Sequence, residues 1–63
     1  MSLMEWEKET EQLFGKITEQ MPQGFRPSVE PLIVKAAEKR CLDRNGAYIN
    51  DADVVMGIFR EVV

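Results

Sequence analysis

Apolar residues in the first part of the chain recur every three or four positions, which is the spacing of one helix face, and they do not alternate as in a strand. Turn residues at 22–24 and 45–46 interrupt the helical spacing and divide the chain into three segments. The pattern therefore predicts one all-α domain of three helices joined by short loops over residues 1–63. The predicted helices cover about residues 3–21, 28–44 and 51–62.

The first segment carries one narrow apolar stripe that also includes Thr10. Ser2 and Glu5 match a capping box, in which a hydroxyl and a carboxylate accept hydrogen bonds from backbone N–H groups at a helix start. This pair predicts a helix that begins near residue 3, although residues 1–3 also fit a leader from an expression vector. The apolar members of the stripe are Leu3, Trp6, Leu13, Phe14, Ile17 and Met21.

The second segment begins at prolines and ends at a glycine. Pro27 stands at the start of the segment, and Pro31 is expected in the first helical turn, where a missing N–H removes no helical hydrogen bond. Gly46 is expected to adopt the left-handed backbone conformation that commonly ends a helix. The successive alanines Ala36 and Ala37 predict that another helix approaches closely. The predicted apolar face consists of Val29, Leu32, Ile33, Ala36 and Ala37.

The third segment has the clearest start signal in the chain. Asn50 can cap the helix with its side-chain oxygen, and Asp53 follows three residues later with the charge that a helix N-terminus favours. Ile49 and Val54 occupy the two positions of a hydrophobic staple, so this helix is predicted to begin at residue 50 or 51. The predicted apolar face consists of Val54, Val55, Ile58, Phe59 and Val62.

These three faces together predict the core of the domain. A single core in a chain of this size supplies only about 3–5 kcal/mol, so a protein partner or a second copy is expected to contribute to stability. The predicted core consists of Trp6, Leu13, Phe14, Ile17, Leu32, Ile33, Ala36, Val55, Ile58 and Phe59.

Charge is distributed unevenly although the net charge is only −3. Residues 1–21 hold five glutamates against two lysines, whereas residues 26–45 hold five basic residues against three acidic ones. The two charged segments either attract one another and keep the domain soluble, or the basic helix presents a surface for phosphate or an acidic partner. That possible partner surface consists of Arg26, Lys35, Lys39, Arg40 and Arg44.

A helix, a turn and a capped helix are also similar to a helix-turn-helix, which suggests nucleic acid as an alternative partner. The isoelectric point near 4.8 disfavours this interpretation. The third helix, which would read the bases, carries three acidic residues and only Arg60 as a cation.

Arg40 and Cys41 stand out in the apolar pattern of the second helix. On a helical projection Arg40 lies in the middle of the face that should be buried. Its stem is expected to cover the core while the guanidinium reaches water or a carboxylate of the first helix; alternatively, it pairs with a carboxylate of another subunit. Cys41 is expected to be a small buried residue.

The absence of histidine and the single cysteine exclude several kinds of self-contained site. These are histidine-based triads, histidine-ligated metals and sites that need several cysteines. We expect no catalytic residue, no cofactor and no metal. The single thiol and the lack of a long apolar run predict a cytoplasmic protein that does not enter the membrane.

Four short motifs follow one another along the chain and together resemble a known family. They are Trp6-Glu7-Lys8-Glu9, Met21-Pro22-Gln23-Gly24-Phe25-Arg26, Ala37-Glu38-Lys39 before Gly46, and Ile49-Asn50-Asp51-Ala52-Asp53-Val54. The chain resembles the small C-terminal domain of the B-type subunit of light-independent (dark-operative) protochlorophyllide reductase, a domain that also occurs as free-standing proteins. The family usually has an aromatic residue and an alanine in place of Arg40 and Cys41, and a shorter link between its proline and phenylalanine.

The resemblance implies a non-catalytic accessory or docking module that is related to a reductase subunit. The cluster ligands and the substrate cavity of that family lie chiefly in larger domains, so no catalytic residue carries over to this chain. The implied partner is a redox or tetrapyrrole-handling enzyme, or a second copy. A tetrapyrrole or another apolar ligand at an oligomer interface, and a regulatory nucleic-acid binder, are the alternatives.

Overall fold

A computed structural model describes residues 4–61, and in this range the chain forms three helices and no strand. Helix α1 covers Lys8–Gln20, α2 covers Arg26–Asp43 and α3 covers Asp51–Glu61. The prediction of a small all-α domain is confirmed. The predicted cap at Ser2 and the predicted apolar-face positions Leu3 and Val62 lie outside the described residues. No described helix combines the length and the apolar character that crossing a bilayer demands.

The first helix begins at Lys8, so the predicted start near residue 3 is wrong. The residues before it are extended, and Trp6 forms an isolated parallel bridge with Ile49. The N–H of Glu7 donates to the carbonyl of Ile49 at 3.0 Å, and the N–H of Ile49 donates to the carbonyl of Glu5 at 3.0 Å. This pairing joins two distant parts of the chain, and local helical spacing carries no signal of it.

The second helix begins at Arg26, earlier than predicted, because a turn leads directly into it. The N–H groups of Phe25 and Arg26 both donate to the carbonyl of Pro22, at 3.0 and 3.1 Å. This early start places Pro31 inside the helix, which corrects the expectation that it lies in the first turn. Because Pro31 has no N–H, the carbonyl of Pro27 lacks its usual helical donor.

The second helix ends in a Schellman motif. The N–H of Gly46 donates to the carbonyl of Cys41 at 2.8 Å, and the N–H of Asn45 donates to the carbonyl of Leu42 at 3.1 Å. The left-handed residue is Asn45, with φ of 56°, so the prediction that Gly46 takes this conformation is wrong. A Cβ atom at Gly46 would collide with the guanidinium of Arg44, which would have to move from its present position.

The start of α3 confirms the predicted cap. The side-chain oxygen of Asn50 accepts a hydrogen bond from the N–H of Asp53 at 3.0 Å, and the carboxylate of Asp53 accepts one from the N–H of Asn50 at 3.1 Å. The two residues therefore form a reciprocal capping box. Ile49 and Val54 are fully buried in one apolar cluster, as expected of a hydrophobic staple.

Replacing Asn50 by alanine is expected to lower the free energy of unfolding by about 1 kcal/mol, because the N–H of Asp53 loses its acceptor. In a domain of this size that loss lowers the melting temperature by about 4–8 °C. Thermal melts followed by circular dichroism measure the change, with the exposed loop variant Gln23→Ala as the control. Equal melting temperatures for the two variants would contradict the role of the cap.

Helices α2 and α3 pack closely in an antiparallel arrangement around Gly57. A Cβ atom at Gly57 would lie 3.3 Å from the carbonyl oxygen of Ile33, 3.3 Å from the Cβ of Ala36 and 3.4 Å from the nitrogen of Ala37. The close approach predicted from the two alanines is therefore confirmed.

The core is narrower than predicted, although Ile33 and Ala36 are buried as expected. Leu32, Val55 and Phe59 are 45%, 40% and 58% exposed, so their assignment to the core is wrong. Helix α3 packs against α2 through the face that contains Gly57. The face that contains Val55 and Phe59 is therefore exposed to solvent. The predicted members that are only partly buried are Trp6, Leu13, Phe14, Ile17 and Ile58. The buried apolar side chains are Val29, Ile33, Ala36, Ala37, Cys41, Ile49 and Val54.

Candidate functional site

An ion pair between a buried carboxylate and a partly exposed guanidinium joins the end of α2 to the start of α3. The side chain of Asp53 is 1% exposed and is held by Arg44 at both oxygens. Nε of Arg44 donates to Oδ1 at 3.1 Å and to Oδ2 at 3.3 Å, and Nη2 donates to Oδ2 at 2.7 Å. This two-point geometry is the strongest that an arginine makes with a carboxylate. Nη2 of Arg44 also donates to the carbonyl of Tyr48 at 2.6 Å, so the same guanidinium holds the loop between the helices.

Arg40 lies next to this pair rather than against the first helix. Its Nε is 3.9 Å from Oδ1 of Asp53, and its side chain is 42% exposed. Arg40 is accessible to water, which was one of the two expected outcomes, and the carboxylate near it belongs to α3 and not to the first helix. Much of the Arg40 side chain remains accessible to solvent.

Cys41 is buried, as predicted, one turn before Arg44. Its Sγ donates a weak hydrogen bond to the carbonyl of Gly46 at 3.3 Å and lies 3.8 Å from Nη2 of Arg44. The thiol is thus part of the packed end of α2.

The pKa of Asp53 results from opposing effects. Burial raises the pKa of this carboxyl, but the hydrogen bonds from Arg44 and from the Asn50 N–H lower it, together with the positive charges of Arg44 and Arg40. The net pKa lies below the ordinary value of 3.8. The hydrogen bond to Asp53 likewise raises the pKa of the Arg44 guanidinium. Both groups are therefore charged in the folded domain at neutral pH.

Because the pKa of Asp53 is lower in the folded state than in the unfolded state, its contribution to stability is present above about pH 4. That contribution is expected to disappear as the pH falls through the lower pKa of the folded state. Urea unfolding between pH 7 and pH 2 tests this, and wild type is expected to lose more stability than Asp53→Asn over this range. Parallel pH profiles for the two proteins would contradict the assigned pKa shift.

A second polar contact fixes the start of α3 to α1. The hydroxyl of Thr10, which is fully buried, donates to Oδ1 of Asp51 at 2.6 Å. Thr10 falls on the apolar stripe of the first segment, and its hydroxyl finds an acceptor on α3. The first turn of α3 is thus held from both neighbouring helices.

The predicted basic surface is divided among three places in the fold. Lys35 and Lys39 are exposed and line a groove of about 320 Å³ between α2 and α3. Arg40 and Arg44 are directed to Asp53. Arg26, by contrast, stands at the first position of α2 and is half-buried, and its Nε has no hydrogen-bond partner among the described residues.

Arg60 is the cation of this groove that the sequence prediction missed. It comes from α3 and lines the groove together with Lys35 and Lys39, while Glu61 is the one acidic residue of the described lining. The antiparallel packing of α2 and α3 brings these cations together, and charge counted segment by segment does not show it. We call this surface the cationic groove; it consists of Lys35, Ala36, Lys39, Arg60 and Glu61.

One side of α3 is apolar and exposed. Val55, Met56 and Phe59 are 40%, 46% and 58% exposed, and Ala52 is exposed as well. Their spacing of i, i+3, i+4 and i+7 places them on one helix face. We call this exposed apolar face the α3 stripe; it consists of Ala52, Val55, Met56 and Phe59.

The α3 stripe adjoins the cationic groove. Met56 precedes Arg60 by one helical turn, and Leu32, which is 45% exposed, precedes Ala36 by one turn. Because the two helices are antiparallel, Met56 and Leu32 place apolar side chains at opposite ends of the groove. The combined surface can receive an apolar segment that carries negative charges at its edge.

Among residues 4–61, no group of three or more histidine, cysteine, aspartate or glutamate side chains is placed to hold a metal ion. Comparison of the chain with protein-family models, with curated proteins and with solved structures finds no match. These comparisons give no support to the link with light-independent protochlorophyllide reductase, which stays a prediction from the sequence motifs.

Proposed function

We propose that this domain is a non-catalytic protein-interaction module that docks an acidic amphipathic helix of a partner on the α3 stripe and the cationic groove. The single observation that carries this proposal is the exposed apolar face of α3 next to clustered cations. A partner helix would place its apolar side chains on the stripe and its carboxylates over the groove.

The packing of α3 within the domain does not account for the exposed apolar residues of the α3 stripe. The helix already buries Val54 and Gly57 within the domain. A surface helix that only supports a core presents one apolar face and a polar opposite face. Here Val55, Met56 and Phe59 make a second apolar face, and contiguous exposed apolar surface commonly marks an interaction site.

The charge beside the stripe indicates the chemistry of the partner. Lys35, Lys39 and Arg60 outnumber Glu61, the one carboxylate in the described lining of the groove. Charges at the rim of an interface guide association and set register, so an acidic helix is favoured over a basic one. Recognition of this kind is the helix-in-groove mode, with anchors spaced by three and four residues.

Two synthetic helical peptides with identical leucine positions test this proposal. One carries glutamates beside the leucines and the other carries lysines at the same positions. Calorimetry is expected to show binding of the glutamate peptide and at least tenfold weaker binding of the lysine peptide. Equal affinities would contradict the role of the cationic groove, and no binding of either peptide would contradict the docking proposal.

A matched pair of variants then locates the site. Phe59→Ser is expected to weaken binding of the glutamate peptide at least tenfold, because a large apolar anchor is removed. Leu42→Ser is the control, since Leu42 is 63% exposed but lies outside the α3 stripe. Equal effects of the two substitutions would contradict docking on the stripe.

Sedimentation equilibrium without peptide distinguishes a second copy from a different partner. A monomer supports docking of another protein, whereas a dimer that Phe59→Ser dissociates would make the second copy the occupant. Binding of duplex DNA that falls steeply with salt, and that Lys39→Gln abolishes, would replace the protein partner by nucleic acid. An association with a redox or tetrapyrrole enzyme stays a prediction.

A further inference from the structure

A second concave site lies between the N-terminal segment, α1 and α2, and it shares no described lining residue with the cationic groove. This cleft has a volume of about 460 Å³, which lies in the range of small-ligand sites. Its apolar wall includes Trp6, Phe14 and Val34, and three glutamates stand around it. We name it the Trp6 cleft. The charged members of its lining are Glu5, Glu11 and Glu30.

The extended N-terminal segment gives the Trp6 cleft its shape. The bridge between Trp6 and Ile49 fixes the backbone on both sides of the indole through two hydrogen bonds of 3.0 Å. The indole packs against Phe14 with the ring centroids 5.3 Å apart and the planes tilted by 38°. Both rings are only partly buried, so aromatic surface remains in the cleft.

The residues that line the Trp6 cleft favour a positively charged ligand. Three glutamates from three different segments line the cleft, and no lysine or arginine of residues 4–61 does so. Aromatic rings attract cations through the negative charge on their faces, and tryptophan does so most strongly. A ligand with a positive head and an aliphatic stem satisfies both the rings and the carboxylates.

We propose that the Trp6 cleft binds an alkylammonium group, carried either by a lysine side chain of a peptide or by a free alkylamine. The aliphatic stem lies against Trp6 and Phe14, and the ammonium lies among the carboxylates of Glu11 and Glu30. This site uses different residues from the docking surface on α3, so each proposal can fail while the other stands.

Trp6 is the only tryptophan in the chain, so its fluorescence reports directly on the Trp6 cleft. The probes are n-butylammonium chloride and the blocked peptide acetyl-Gly-Lys-Gly-amide, at constant ionic strength. We expect a saturable change in the Trp6 emission with both. Tighter binding of the peptide identifies a lysine side chain as the natural ligand, and tighter binding of butylammonium identifies a free amine.

Neutral n-butanol is the control for the positive charge. It has a similar stem without the ammonium and is expected to bind at least fivefold more weakly. Equal affinity for n-butanol and n-butylammonium would overturn the proposal, as would the absence of saturation with both ammonium probes.

Two single variants test the carboxylates. Glu11→Gln and Glu30→Gln are each expected to weaken butylammonium binding about fivefold, the size expected for partly exposed charges. The control is Glu19→Gln, which changes an exposed glutamate of α1 outside the cleft. Thermal melts establish that each variant is folded. If Glu19→Gln weakens binding as much as the other two, only the overall charge matters and the site is rejected.

Discussion

Replacing Asp53 by alanine is expected to lower the free energy of unfolding by about 3 kcal/mol. Loss of one member of a buried ion pair costs about 3–5 kcal/mol in general. The lower end applies because Arg44 is 39% exposed and water can reach its guanidinium once the carboxylate is gone. The same substitution also removes the acceptor for the Asn50 N–H, which is half of the capping box.

A loss of this size is most of the stability that a single core of this length provides. Urea unfolding at pH 7 measures it, and the variant is expected to be partly unfolded before urea is added. Asp43→Ala is the matched control, because Asp43 is an exposed carboxylate at the end of α2. If both substitutions change the stability equally, the ion pair does not hold the two helices together.

Replacing Gly57 by leucine is expected to destabilise the domain by about 3 kcal/mol. A Cβ atom alone would already stand 3.3 Å from the carbonyl oxygen of Ile33 and from the Cβ of Ala36, and a leucine adds three further carbon atoms to this contact. Overpacking of this kind typically costs about 1–3 kcal/mol, and here the obstacle includes backbone that cannot rotate away.

Gly15→Leu is the control for the Gly57→Leu substitution in α3. Gly15 lies in α1, and a Cβ atom there would meet nothing within 4 Å. Leucine favours the helix over glycine by about 0.5–1 kcal/mol, so this variant is expected to melt at a higher temperature than wild type. Opposite shifts for the two variants support the close α2–α3 contact, whereas two increases in melting temperature would contradict it.

The features that the sequence predicted best depend on neighbouring residues in the chain. The cap of α3 is one example, because Asn50 and Asp53 are three residues apart and their chemistry needs no distant partner. The division into three helices is another. The close contact at Ala36 and Ala37 was also predictable, since small side chains permit it wherever the partner helix comes from.

The features that the sequence did not predict depend on distant residues. The pairing of Trp6 with Ile49 spans most of the chain, and in a helical projection Trp6 fits the stripe of the first helix equally well. For α3, both the buried and the exposed faces are apolar, so periodicity could not tell Val54 from Val55.

One feature of the sequence could have predicted the ion pair between Arg44 and Asp53. Arg40 and the C-cap residue Arg44 are four residues apart at the end of α2, in line with its buried face, and two cations at the edge of a core favour a nearby carboxylate. Asp53 follows Asn50 by three residues, and this spacing predicts only its part in the helix cap. Asp53 also precedes the buried Val54, and its own side chain lies toward the core. The cationic groove gave no such signal, because Arg60 joins Lys35 and Lys39 only through the packing of α3 on α2.

The most direct test of the docking proposal is to map the binding of the glutamate peptide on the ¹⁵N-labelled domain by NMR. We predict saturable shifts of the backbone amides of Val55, Met56 and Phe59, together with Lys39 and Arg60 in the cationic groove. The amides around Trp6 and Phe14 should remain unchanged. Shifts confined to the Trp6 cleft, or no saturable shifts at all, would contradict the assignment of the α3 stripe as the docking surface.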